Sequence, residues 1–187
     1  MNLLFIGDVV GQSGCDFLES RMYKLKREYD IDVTVVNGEN SAQGNGITPQ
    51  SYRQLLNIGA DVVTTGNHSF RRREAEELYD TNEQLLRPAN YPEGVMGHGV
   101  TYIDMCPYKI AVVNLMGTMY MEAVENPFNY VDKLLESIDT PNIIVDFHAE
   151  TTSEKKAMGF YLQKRCTAVL GTHTHVQTAD EMILGGH

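Results

Sequence analysis

The chain has 187 residues, 42% of them hydrophobic, and a formal net charge of -10 from 25 acidic against 15 basic side chains. That length buries a full core as one domain, residues 1-187, and the composition excludes a disordered chain. The acidic balance excludes the electrostatic footprint of a general nucleic-acid binder, and no apolar run reaches membrane-spanning length.

Leu3 to Ile6 is a short apolar run of the kind that forms a buried parallel strand. It ends in Gly7-Asp8. Leu18, Met22, Leu25 and Tyr29 then recur at helical spacing. Val33 to Val36 predicts a second strand, ending in Gly38-Glu39-Asn40, and the small polar stretch 41-46 reads as a loop. Thr48-Pro49 is a helix start, with Tyr52, Leu55 and Leu56 as the buried stripe and Gly59 as the stop. Asp61 to Thr65 predicts a third strand, ending in Gly66-Asn67-His68, and a helix is expected from about Arg72 to Tyr79. This alternation implies a parallel sheet with right-handed crossovers.

The middle changes character. Val100 to Met105 and Lys109 to Leu115 flank Cys106-Pro107-Tyr108 and predict a hairpin, hence an antiparallel or mixed portion. Asn129 to Ile138 is amphipathic. Asn142 to Val145 predicts a strand ending in Asp146-Phe147-His148. Thr152 or Ser153 caps a helix containing Ala157, Met158, Tyr161 and Leu162. Ala168 to Leu170 predicts a last strand, ending in Gly171-Thr172-His173-Thr174-His175.

Hard metal-binding side chains therefore recur at strand carboxyl ends, where open α/β sheets bind ligands. Each residue also has a bland role. Asp8 suits a helix N-cap, Glu39 a loop charge, Asn67 turn chemistry and His148 a satisfied core histidine. His173 and His175, two apart, point the same way if the backbone is extended. Arg71-Arg72-Arg73 reads as a solvated helix start, or as one arginine facing a phosphate near Asn67-His68. The donors are imidazole, carboxylate and amide without thiolate, which favours Mn, Fe or Zn in a catalytic role. Two divalent ions against Asp8 and Glu39 leave surplus positive charge for a phosphate and a hydroxide. Cys15, Cys106 and Cys166 show no metal or disulfide spacing, so reduced thiols in a cytoplasmic protein are expected.

Gly7-Asp8-Val9-Val10-Gly11, Gly38-Glu39-Asn40, Gly66-Asn67-His68, the lone His148 and Gly171-Thr172-His173-Thr174-His175, taken in order, resemble the calcineurin-like metallophosphoesterases. More narrowly, they resemble the bacterial YmdB-like branch of cyclic-nucleotide phosphodiesterases. Val10 in place of the superfamily's first histidine, Glu39-Asn40 and Ser69 all follow that branch, as does Arg87-Pro88-Ala89-Asn90-Tyr91-Pro92.

The resemblance implies an α/β sandwich of mixed β-sheets flanked by helices. It implies two metals bridged by Glu39, one held by Asp8, Asn40 and His175, the other by Asn67, His148 and His173. His68 is implied beside the substrate, acting while an activated hydroxide attacks a small phosphodiester such as a cyclic nucleotide. The branch continues beyond the last motif, so C-terminal strands are expected to be missing, Gly185-Gly186-His187 reads as an end without a closing element, and self-association into a homo-oligomer is expected. Two other readings stay open: a metal-binding domain that is catalytically weak or regulatory, and an amidohydrolase. In the latter, H-x-H usually follows the first strand of a barrel.

Overall fold

The computed structural model describes residues 1-185, and the expected end at Gly186 and His187 lies outside them. Contacts divide the chain into two compact units: Met1–Arg87 with Met96–His98, and Pro88–Val95 with the chain from Gly99 onward.

The first unit is an all-parallel sheet in the order β1-β2-β3-β4. Its strands are β1 Leu3–Ile6, β2 Val33–Asn37, β3 Val62–Thr64 and β4 Leu85–Leu86; its helices are α1 Gly11–Glu28, α2 Pro49–Ile58 and α3 Glu76–Thr81. β2 pairs on both sides, with Ile6 opposite Val36 and Asn37 opposite Thr64. All five β2 residues are buried, which its continuous β-branched run suits. In α2 the Thr48 side chain accepts from the Ser51 N–H and Ser51 answers at the Thr48 N–H, a reciprocal cap, while Gly59 closes the helix at φ 107°. Leu18, Met22, Val36, Leu55, Val63 and Tyr79 form the core.

Two elements differ from expectation. The third helix begins as a 3-10 turn, Arg73–Ala75, and becomes α-helical only at Glu76. Arg72 is held extended (φ -117°, ψ 110°) because its guanidinium donates to the Asn45 and Gln43 carbonyls, at 2.9 and 2.6 Å. β4 has two residues, too few for periodicity to reveal, and is defined by pairing with β3.

The second unit contains β5 Val100–Asp104, β6 Lys109–Met116, α4 Pro127–Glu136, β7 Ile143–His148, α5 Thr152–Tyr161 and β8 Ala168–Thr172. Its sheet runs β5-β6-β7-β8, with the expected antiparallel hairpin β5–β6 and parallel pairs β6–β7 and β7–β8. The α/β reading is therefore borne out, with two four-stranded sheets and five α-helices among the described residues. The first sheet is purely parallel and the second is mixed.

Helix starts shift where side chains cap. α4 begins at Pro127 because the Asn126 side-chain oxygen accepts from the Phe128 and Asn129 N–H groups. α5 is capped by Thr151, one residue before the expected caps, through the Glu154 N–H at 3.2 Å. Its buried stripe is Glu154, Met158 and Leu162, while Ala157 and Tyr161 are exposed. Among the described residues no helix is long and apolar enough to cross a membrane.

Gly38 sits where β2 delivers its acidic motif. A Cβ there would lie 2.6 Å from Leu55 Cδ1 and 2.8 Å from Val63 Cγ1. Gly38→Ala is expected to cost about 1–3 kcal/mol through overpacking, read as a lower urea midpoint at unchanged slope.

Candidate metal centre

In the first unit, three parallel strands end on one edge, and backbone hydrogen bonds tie their following turns together. The Val9 N–H donates to the Asn37 carbonyl at 3.0 Å, Gly11 to Asn40 at 2.8 Å, and Gly38 to Thr64 at 2.9 Å. Glu39 emerges from this lattice with 0% exposure. Its Oε1 accepts from Asn40 Nδ2 at 2.9 Å and its Oε2 accepts from the His68 N–H at 3.1 Å. Burying a carboxylate is costly unless donors or a cation compensate, so this position is chemically suited to a metal.

His68 Nδ1 lies 3.0 Å from Asn40 Oδ1 and 3.2 Å from Glu39 Oε1. Both neighbours are acceptors, so Nδ1 carries a proton and a neutral ring keeps its lone pair on Nε2. The turn holding Asn67 and His68 is fixed by Ser69, whose hydroxyl donates to the Gly66 carbonyl at 2.6 Å and sits 2.7 Å from Thr65 Oγ1. The motif does sit in a turn, but Asn67 is not left-handed there; Ser69 supplies the turn's bonds. Asp8, half-buried after β1, is not a helix cap: α1 starts from Val10 with no side-chain capping bond.

Arg72 clasps the 43-45 loop and lines a polar cleft of about 320 Å³ with Gln12, Ser41 and Thr48. Arg71 and Arg73 are exposed.

In the second unit β7 continues through Asp146-Phe147-His148 instead of stopping at Val145. Strand alternation puts Asp146 and His148 on one face and Phe147 on the other, in the core. Thr172 ends β8 directly opposite His148 in the parallel register. Beyond it the chain is not extended: His173 has φ 97° and His175 φ 51°. The expectation that extended backbone aligns the two histidines therefore fails. Left-handed backbone at non-glycine residues costs of order 1–3 kcal/mol each and concentrates at functional sites. His173 is half-buried and His175 exposed.

His148, with 0% exposure, approaches Thr172 Oγ1 through Nδ1 at 2.9 Å and His173 Nδ1 through Nε2 at 3.1 Å. His173 Nε2 lies 2.8 Å from Glu150 Oε2. Each imidazole is thus anchored by one nitrogen to an outer oxygen while the other two nitrogens converge. A 3.1 Å separation suits two ligands sharing one ion at about 2.1 Å. An imidazole braced on an outer hydroxyl or carboxylate is the usual support of a metal-bound histidine, so the residues present fit a transition metal. The sequence does not mark Thr172 and Glu150 as site residues: Thr172 lies among the histidines of its motif without a pattern of its own, and Glu150 belongs to no motif.

The cysteines stand apart. All three are free; Cys15 is buried, and burial pushes the Cys166 thiol up to about 11.

A family model described as YmdB-like protein matches residues 4–187. The chain belongs to the YmdB-like family. It is 46% identical over 186 residues to a Bacillus subtilis protein named 2′,3′-cyclic-nucleotide 2′-phosphodiesterase, a match covering 98% of this chain and 70% of that one. A crystal structure of a hypothetical protein from Thermus thermophilus superposes with TM-score 0.92 at 39% identity, covering 97% of this chain and 71% of that one. A crystal structure described as a novel phosphatase from Mycoplasma pneumoniae gives TM-score 0.90 at 34% identity, with coverage of 95% and 66%. The chain thus spans about two thirds of the length of these YmdB-like relatives.

The thiol environment gives a direct check on the thiolate-free donor set. At pH 8 a thiol reagent is expected to modify exposed Cys106 first, with Cys15 and Cys166 reacting only on unfolding, since burial raises both thiols, Cys166 to about 11, and leaves little thiolate there. Peptide mapping after timed labelling reads this order.

Proposed function

We propose that the protein is a metal-dependent phosphodiesterase acting on cyclic nucleotides or similar small phosphodiesters, with the 2′,3′-cyclic class first to be tested. The observation that carries the reading is the fully buried Glu39 carboxylate, which accepts from both Asn40 and His68. The printed activity of the Bacillus subtilis relative supports the substrate class.

In this reading Asp8, Glu39, Asn40, Asn67, His148, His173 and His175 would hold two divalent ions, Fe or Mn before Zn. When bound, such a pair would supply Lewis-acid charge to the phosphoryl oxygens and make water acidic near neutral pH.

The chain's own residues do the rest. Asn40 and Glu39 hold the His68 ring by its Nδ1 side, so Nε2 is the atom to hand a proton to the departing ribose oxygen or to bond a phosphoryl oxygen. Thr65 and Ser69 keep the His68 turn from rotating.

The decisive experiment is elemental analysis of the purified protein together with a panel of 2′,3′- and 3′,5′-cyclic nucleotides. Turnover of none of them in metal-replete protein would favour a binding or regulatory domain. His68→Ala is expected to lower kcat by about 10²–10⁴-fold, the range of general acid catalysis, at unchanged metal content; equal loss of both would move His68 among the ligands. Glu39→Gln is expected to lower the metal content of the purified protein, and two ions retained per chain would remove Glu39 from the ligand set.

A further inference from the structure

The proposed centre uses His148 as a ligand, and a ligand imidazole must present a lone pair. We propose that Asp146 and Thr172 are positioning residues that hold His148 in the tautomer a metal needs, an inference that rests on the metal reading above.

The argument begins with β7. Asp146 and His148 are two residues apart on the same strand face, with Cα atoms about 6.6 Å apart at ordinary strand rise. The neighbouring strand supplies a bridge: Thr172 is the register partner of His148. The Thr172 hydroxyl donates to Asp146 Oδ1 at 2.6 Å, within the range of a charge-assisted O–H···O⁻ bond.

A threonine hydroxyl has one proton. With that proton on Asp146, Oγ1 faces His148 Nδ1 at 2.9 Å as an acceptor only. Nδ1 must then carry the ring proton, and in a neutral imidazole Nε2 keeps the lone pair. Nε2 is the atom that converges on His173 Nδ1. If the Thr172 proton pointed at His148 instead, the ring proton would sit on Nε2 and close that position. Asp146, acting as an acceptor, prevents this. Asp146 and His148 have 0% exposure and Thr172 4%, so bulk water does not compete for these bonds.

The test reads tautomer and metal affinity separately. Long-range ¹H–¹⁵N spectra of metal-free protein at pH 8 are expected to show His148 protonated at Nδ1. In Thr172→Val the Nε2-protonated form should appear, with Mn²⁺ affinity falling about 10–100-fold, the usual cost of losing such a support. Thr172→Ser, which keeps the hydroxyl, should restore both. A wild-type His148 protonated at Nε2 overturns the proposal even if Thr172→Val fails to fold. So does a Thr172→Val protein with wild-type tautomer and affinity. Wild-type protein that binds none of Mn²⁺, Fe²⁺ and Zn²⁺ would overturn the metal reading, and the metal-free spectrum would still decide the part played by Thr172.

Discussion

Two parallel strands need a long return connection, so both end on the same edge of their sheet. The arrangement of both units depends on that constraint. In the first, β1, β2 and β3 are all parallel and release Asp8, Glu39 with Asn40, and Asn67 with His68 at one edge. In the second, β7 and β8 are parallel and bring His148 and Thr172 opposite each other. The hairpin β5–β6 runs its strands in opposite senses, and β5 contributes no proposed ligand.

Placing polar groups at a buried edge creates an electrostatic demand that apolar packing does not meet. Glu39 and Asp146 are fully buried carboxylates. Each is compensated locally: Glu39 by the Asn40 amide and the His68 N–H, Asp146 by the Thr172 hydroxyl. These bonds also fix direction. They set which nitrogen of His68 and of His148 carries a proton.

Much of this was legible in the chain. β1 and the ends of α2 follow from apolar runs, Thr48-Pro49 and Gly59, because those signals act over a few residues. The hairpin around Cys106 was legible for the same reason. α3 and α5 shifted because side-chain bonds to backbone intervened: Arg72 reaches the distant 43-45 loop, and Thr151 caps its helix ahead of two equally plausible neighbours. β4, two residues long, exists only through its pairing with β3.

The sequence by itself determined the donor chemistry, the order of the motifs and their delivery after apolar strands, since these depend on residue type and local periodicity. Only the tertiary structure decided how the donors are aimed. The left-handed backbone at His173 and His175, the reach of Glu150 to His173, and the Asp146–Thr172–His148 chain all depend on cross-strand register and local turns. Register joins residues distant in sequence, and one sequence's periodicity holds no record of which strand lies beside which.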